Sequence, residues 1–267
     1  MGSPLGLIAG HGELPAIAIR LQAEQNRPVV AVTFDKSSFD RLSRERAQIS
    51  QVGLGQASKI INFFKKAGVT EVAFAGKVDK RVIYENPRFD LRALSILRRA
   101  GLKSDDAIMN AIVEELQKEG ITVASQLELF RSLIPGQGKL AKRRLGRGEE
   151  RDIEYGMKMA KGIAGLDIGQ TVVVKNGAVT AAEAIEGTDE AIARGGRIAG
   201  AGAVVCKVSK PRQDPRFDVP TIGRHTVEAM AKVGATALAI EAGMTMVVDI
   251  EETIGFCDQN KISLVAV

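Results

Sequence analysis

Over its first half the chain alternates short apolar runs with helix-forming segments, and that alternation admits few folds. Leu5-Gly-Leu-Ile-Ala9 is an apolar run ending in Gly10-His-Gly12. Glu13-Leu-Pro-Ala opens a helix to about Gln25, with Pro15 suited to its first turn. Pro28 to Phe34 reads as a second buried strand closed by Asp35, and Ser58 to Lys66 as an amphipathic helix ended by Gly68. Glu71 to Ala75 is a third strand. Ser104 starts a helix running to about Glu119, and Ile121 to Ala124 is a further strand. Strands spaced by helices in this way predict a parallel sheet with right-handed crossovers.

The second half has a different pattern. Residues 136–152 hold glycines and a basic run (Lys139, Lys142, Arg143, Arg144, Arg147), read as an interdomain linker or as a basic lip over an anionic substrate. Gln170 to Lys175 and Ala178 to Glu183 flank Asn176-Gly177, a two-residue hairpin signal. A helix over 188–194, a strand over 203–208, a helix over 221–232 and strand-like runs at 235–240, 245–249 and 263–267 follow. The expected fold is therefore α/β: an N-terminal Rossmann-like parallel-sheet domain over 1–135, the linker 136–152, and an α+β domain with a mixed sheet over 153–267.

Composition narrows the function classes. Among 267 residues the net charge is +5 and aromatics are 4% with no Trp, which suits anionic small molecules better than stacked nucleic-acid bases. The two cysteines, Cys206 and Cys257, have no zinc or redox spacing and read as reduced, buried thiols of a cytoplasmic protein. No apolar stretch reaches the roughly 20 residues that span a bilayer. Leu91 to Lys103, with leucines and arginines interleaved, reads as an amphipathic surface helix or as a peripheral contact with an anionic membrane.

Three constellations bear chemistry. The loop at Gly10, His11 and Gly12 joins a strand to a helix, where backbone amides and the helix dipole suit phosphate; Pro15 stands where the dinucleotide fingerprint needs glycine or alanine. Glu183, Glu186 and Asp189 place three acids within seven residues, with Thr188 and Asp189 able to cap the next helix and Arg194 following. Lys210-Pro-Arg-Gln-Asp-Pro-Arg-Phe-Asp-Val-Pro220 carries Asp214 and Asp218 among Lys210, Arg212 and Arg216, and its prolines exclude a regular helix or central strand. Extended, the two aspartates stand about 13 Å apart at roughly 3.3 Å per residue. They share one ion only if the chain turns at Pro215. Otherwise they pair with Arg212 and Arg216. Mg²⁺ or Mn²⁺ takes carboxylates, water and phosphate oxygens without histidine, and two histidines exclude an all-histidine site.

With these residues in view the chain resembles the UDP-2,3-diacylglucosamine pyrophosphatases of the LpxI type. The resemblance runs through Leu7-Ile-Ala-Gly-His-Gly-Glu-Leu-Pro15, Phe74-Ala-Gly-Lys-Val78, Asp167-Ile-Gly-Gln170, Glu183-Ala-Ile-Glu-Gly-Thr-Asp189 and Lys210 to Pro220. It implies hydrolysis of an acylated UDP-sugar to UMP and 2,3-diacylglucosamine 1-phosphate in lipid A biosynthesis, with attack at the sugar-side phosphorus. It further implies a divalent metal, substrate bound between two domains, and a homodimer joined through the second. Location follows as cytoplasmic, with contact at the cytoplasmic face of the inner membrane.

The site expected from these readings has Asp218, Asp214, Lys210 and Arg216 as catalytic residues. Gly10, His11, Gly12, Gln170, Thr188, Arg194 and Gln213 bind substrate. Asp218, Asp214, Glu183, Glu186 and Asp189 hold the metal. Two rival classes stay open: a nucleotide-binding regulator without catalysis, and an NAD(P)-dependent oxidoreductase.

Overall fold

The computed structural model describes residues 2–78, 89–101 and 105–267. The expected helix cap at Ser104 and the end of the Leu91–Lys103 segment lie outside the described residues. The chain divides into two compact units, Met1–Leu129 and Phe130–Val267.

In the first unit, strands β1 (Leu5–Ala9), β2 (Val29–Thr33), β3 (Gln48–Gln51), β4 (Glu71–Ala75) and β5 (Thr122–Val123) form one sheet in the order β3-β2-β1-β4-β5. Every pairing is parallel. The central strands β1 and β2 are buried along their whole length, which is why they read as unbroken apolar runs and not as alternation. The connecting helices are α1 (Leu14–Glu24), α2 (Lys36–Leu42), α3 (Ala57–Lys66), α4 (Leu91–Ala100), α5 (Asp105–Lys118) and α6 (Gln126–Leu129). Pro15 sits in the first turn of α1, as expected. The polar strand β3 and the short helix α2 gave no apolar periodicity to read.

Helix α4 buries Ala93, Ile96 and Ala100, one face at helical spacing, and leaves Leu91 and Leu94 exposed. Arg92 and Arg99 bond to Glu115 and Glu119 at the far end of α5 (Arg92–Glu119 and Arg99–Glu115 both 2.6 Å), so neither is a free cation for a membrane surface.

In the second unit the main sheet has the order β6-β13-β11-β9-β7-β8. Its strands are β6 (Gly138–Lys139), β7 (Thr171–Lys175), β8 (Ala178–Ala182), β9 (Val204–Lys207), β11 (Ala237–Ile240) and β13 (Ser263–Ala266). The inner strands β9, β11 and β13 run parallel, while β6, β7 and β8 are antiparallel to their neighbours. A separate parallel pair joins β10 (Thr221–Ile222) to β12 (Met246–Val247). The sheet is thus mixed, as expected.

Strand alternation divides the side chains between two layers. Val173, Val205, Leu238, Ile240 and Leu264 pack with Ile192, Val227, Met230 and Cys257, from helices α8 (Thr188–Ala199), α9 (Arg224–Lys232) and α10 (Ile250–Gln259). Val172, Val174, Val204, Cys206, Ala237 and Ala239 face Ile153, Ala160 and Ala164 of α7 (Arg147–Gly165). Small residues line that second layer because α7 lies close: a Cβ on Gly156 would stand 2.6 Å from Cys206 Sγ. Both cysteines are free and buried, and burial pushes each thiol up to about 12.

The hairpin at Asn176-Gly177 forms, with positive φ at both residues. Buried Asp152 locks it by accepting the Asn176 and Gly177 amides at 2.9 and 2.7 Å.

Three expectations need correction. Residues 136–152 are not a free linker: β6 pairs with β13, and α7 already begins at Arg147. Of the basic run, Arg143 is used internally, bonding Glu149 (2.9 and 3.0 Å) and the Ser263 hydroxyl (2.8 Å), while Lys139, Lys142, Arg144 and Arg147 are exposed. The segment 221–232 is not one helix, because Thr221 and Ile222 pair with β12 and α9 starts only at Arg224.

Candidate functional site

In the first unit, the loop after β1 meets the loop after β4 at the point where strand order reverses, the usual ligand-binding crevice of such sheets. The glycines there serve backbone contact. A Cβ on Gly10 would stand 2.4 Å from the Lys77 carbonyl oxygen, and one on Gly76 2.5 Å from that of His11. The Gly10 amide donates to the Ala75 carbonyl (2.8 Å), and His11 and Lys77 exchange amide bonds of 2.7 and 2.9 Å. Those two amides were expected to receive phosphate, and they are already spent.

What remains is side-chain chemistry. Asp35 caps α2 by accepting the Ser38 amide at 2.9 Å, and it lies 3.5 Å from His11 Nε2; the other ring nitrogen lies 3.4 Å from the Ser38 hydroxyl. Burial opposes the Asp35 charge, but the Ser38 bonds and His11 outweigh it and hold the carboxyl below its ordinary range. Arg41 pairs with Glu13. Gly10, His11, Gly12, Ser37, Ser38, Arg41 and Leu42 line a pocket of about 50 Å³. Ligand pockets run to roughly 300–1,000 Å³, so this one is small beside them. Ser37, Ser38 and Arg41 gave no motif in the sequence.

In the second unit one strand exit organises the charges. β9 ends at Lys207 and runs into Ser209 and Lys210, at the carboxyl end of the parallel strands. Lys207 is buried, and its ammonium donates to the Thr188 hydroxyl at 2.8 Å. Thr188 in turn donates to Glu183 (2.7 Å), which also accepts the Gln170 amide (3.1 Å). Burial works against the Glu183 charge; the Lys207 ammonium and the hydroxyl and amide bonds more than offset it, so the carboxyl sits below its ordinary value. Thr188 therefore spends its hydroxyl on Glu183 and does not cap α8, whose N-cap is Gly187. Glu186 pairs with Arg194 at 2.5 Å, and Arg194 also donates to the Ala182 carbonyl. Asp189 lies exposed in the first turn of α8.

The proline loop does turn at Pro215: the amides of Phe217 and Asp218 both donate to the Asp214 carbonyl, at 3.3 and 3.1 Å. The turn nevertheless sends the two carboxylates to different cations. Asp214 is bound in fork fashion by Arg216 (2.6 to 3.2 Å), whose bonds hold it below the ordinary carboxylate range against burial. Asp218 lies 3.3 Å from the Lys210 ammonium, which also binds Asp167 at 2.8 Å. The Lys210 amide donates to Gln213 Oε1 at 2.7 Å. The turn at Asp167, with φ of +57°, lies hard against Glu183: a Cβ on Gly169 would stand 2.1 Å from the Glu183 carbonyl oxygen. Gln170 Oε1 and Gln213 Nε2 are shielded from solvent and have no hydrogen-bond partner among the described residues.

The five acids expected around a metal are thus not brought together. Glu183, Glu186, Asp214 and Asp218 each face a different cation or donor. Among the described residues no group of three or more His, Cys, Asp or Glu stands ready to cage an ion. The described residues alone do not form a protein cage for a resident metal. The sequence singled out Asp167 only as part of the segment Asp167–Gln170, with no role, and did not single out Lys207, Lys161 or Glu241. Lys207 was detectable as the one cation in an otherwise apolar strand; the others are joined to the loop only by the fold.

Comparison with known proteins agrees with this two-unit layout. Residues 4–133 match the LpxI N-terminal domain and residues 136–265 the LpxI C-terminal domain. The chain is 34% identical over 265 residues to a Caulobacter vibrioides protein named UDP-2,3-diacylglucosamine pyrophosphatase LpxI, covering 95% of this chain and 94% of that one. Among solved structures, ChuY, an anaerobilin reductase of Escherichia coli O157:H7, aligns with a TM-score of 0.28 and 18% identity over 44% of this chain and 47% of its own. The biotin carboxylase subunit of pyruvate carboxylase aligns with a TM-score of 0.29 and 14% identity over 74% and 42%. Such TM-scores say nothing of fold or function.

These matches correct the functional reading that kept a non-catalytic nucleotide-binding regulator and an NAD(P)-dependent oxidoreductase open. The relative that spans the chain carries the name of a pyrophosphatase, neither of those classes. With both domain models matched in order and nearly the whole length covered, the chain belongs to the LpxI family.

Proposed function

We propose that the chain is a UDP-2,3-diacylglucosamine pyrophosphatase whose pyrophosphate-cleaving groups lie at the β9 exit of the second unit. One observation carries the placement: the Lys210 ammonium lies between Asp167 and Asp218, beside the Asp214–Arg216 fork. An incoming phosphate oxygen takes the place of the Asp218 carboxylate on Lys210, and Asp218 orients the attacking water. Arg216, kept in place by Asp214, faces a second phosphate oxygen. Gln170 and Gln213 each offer a shielded polar atom for a substrate group to satisfy. Leu166, Ile168 and Ile185 are exposed beside Asp167 and Glu183 and suit the acyl chains of an amphiphilic substrate.

A Mg²⁺ or Mn²⁺ ion would offset the charge of the pyrophosphate, and such ions commonly use one or two carboxylates plus phosphate oxygens. Asp218 is the carboxylate proposed for it. Gly12 and His11, with Asp35, are proposed as substrate-binding residues of the first unit. Homodimer formation and contact with an anionic membrane belong to the same reading; among the described residues no helix is long and apolar enough to cross a bilayer.

Phosphorus NMR of UDP-2,3-diacylglucosamine incubated with the protein and Mg²⁺ tests the activity. The two coupled pyrophosphate resonances are expected to give way to two phosphomonoester resonances, and EDTA is expected to stop the change. Persistence of the pyrophosphate signals with Mg²⁺ present overturns the reading. Run in ¹⁸O-water, the reaction is expected to label the sugar phosphate; label in UMP excludes sugar-side attack.

A further inference from the structure

The residue before Lys210 is held more completely than its place in a loop requires. Ser209 is 2% exposed, although it opens a polar, proline-rich segment. Its amide donates to Glu241 Oε2 at 2.8 Å, and its hydroxyl donates to the same oxygen at 2.6 Å. Its carbonyl accepts from Lys161 Nζ at 3.0 Å. The ammonium of Lys161 also binds both Glu241 oxygens, at 2.8 and 2.7 Å, and lies 3.1 Å from the Ser209 hydroxyl. Burial disfavours the Glu241 charge, and the bonds from Lys161 and Ser209 more than compensate, keeping the carboxylate ionised.

Three elements converge here: α7 supplies Lys161, the end of β11 supplies Glu241, and the exit of β9 supplies Ser209. The consequence falls on one peptide plane. The Ser209 carbonyl and the Lys210 amide belong to the same planar group. Lys161 fixes its oxygen and Gln213 fixes its N–H at 2.7 Å. With that plane pinned at both ends, the direction in which the Lys210 side chain leaves the backbone is set before substrate arrives.

We infer that Lys161 and Glu241 are positioning residues for the reaction: they touch no reacting atom and act through Ser209 on the placement of the Lys210 ammonium. The inference rests on the reading of Lys210 as a phosphate-holding cation. Misplacing such a group by about 1 Å costs up to about 10²-fold in rate. Glu241, paired with Lys161 and bonded twice by Ser209, gives the pin its rigidity.

A double-mutant cycle on kcat tests it, with thermal stability measured for each variant. Lys161→Met is expected to lower kcat by about tenfold to 10²-fold. In a Lys210→Met background the same change is expected to cost less than about threefold, because its target is already gone. Losses that multiply across the cycle overturn the inference, since Lys161 then acts independently of Lys210. If Lys161→Met fails to fold, Glu241→Gln, which keeps the side-chain shape and weakens the hold on the Lys161 ammonium, takes its place with the same expected coupling. Lys210→Met hydrolysing at the wild-type rate removes the underlying reading, and the inference with it.

Discussion

The glycine loop of the first unit and the proline loop of the second both sit at the carboxyl ends of parallel strands, yet they use that position in opposite ways. Around Gly10 the backbone is spent on itself: amides pair across to Ala75 and Lys77, and the glycines let two loops touch. Around Lys210 the backbone only steers, and side chains of both signs carry the polarity. Among the described residues five cations (Lys161, Lys207, Lys210, Arg216 and Arg194) and six acids (Asp167, Glu183, Glu186, Asp214, Asp218 and Glu241) are tied to the β9 exit or to the segments beside it. A glycine-rich strand-to-helix loop is therefore weak grounds for a phosphate cradle, because the same glycines are needed wherever two backbones approach closely. Opposed charges held in partly buried pairs are stronger grounds for chemistry, since each pair has a cost that packing alone does not require.

The comparison breaks most readily at Asp218. Asp218→Ala is expected to lower kcat by roughly 10²–10⁴-fold, the usual worth of a positioned acid–base group, with the circular dichroism spectrum unchanged. Lys210→Met is expected to cost roughly 10²–10³-fold, as for loss of one transition-state donor; stopped assays of phosphomonoester release measure both. Gly10→Ala tests the other side of the comparison. The added methyl meets the Lys77 carbonyl, and overpacking of this kind costs about 1–3 kcal/mol, read as a lower thermal midpoint with kcat nearly intact.

Acid titration gives a smaller effect that sharpens the second unit's account. Glu183, Glu149 and Glu241 all sit below their ordinary value of 4.5 in the folded chain. Their contribution to stability is full above that value and is lost as pH falls through the depressed folded values. Denaturant midpoints are therefore expected to hold steady from neutral pH to about 5 and drop below 4.5, and Glu183→Gln is expected to flatten that drop. Smallest of all, Asp35→Ala removes a helix cap worth about 0.5–2 kcal/mol, with its effect confined to the first unit.

Much of the fold was legible because burial writes itself into residue order. The runs at 5–9 and 29–33 showed buried parallel strands, and Asn176-Gly177 named its hairpin. The polar strand Gln48–Gln51 and the strand Thr221–Ile222 were not legible, since their pairing partners lie elsewhere in the chain and their own composition is neutral. Helix Arg147–Gly165 was hidden by its basic approach, which reads as solvated linker until Arg143 is seen bonding to Glu149 and Ser263.

For the candidate site, the proline loop was readable from local chemistry, and its turn at Pro215 stood as one of two readings. Which cation each acid takes was not, because Lys210 reaches Asp167 through the meeting of two turns 43 residues apart. Lys161 and Glu241 were likewise invisible, being separated by 80 positions and joined only by neighbouring elements of one sheet layer.

The central claim is that the second unit's charged loop performs the cleavage while the first unit's glycine loop contributes contact. Steady-state kinetics of Asp218→Ala beside His11→Ala, on UDP-2,3-diacylglucosamine with Mg²⁺, tests it most directly. The account predicts a fall in kcat of at least about 10²-fold for Asp218→Ala. For His11→Ala it predicts a raised KM with kcat within about threefold of wild type, the pattern of lost uniform binding. A collapse of kcat in His11→Ala with Asp218→Ala near wild type would contradict it.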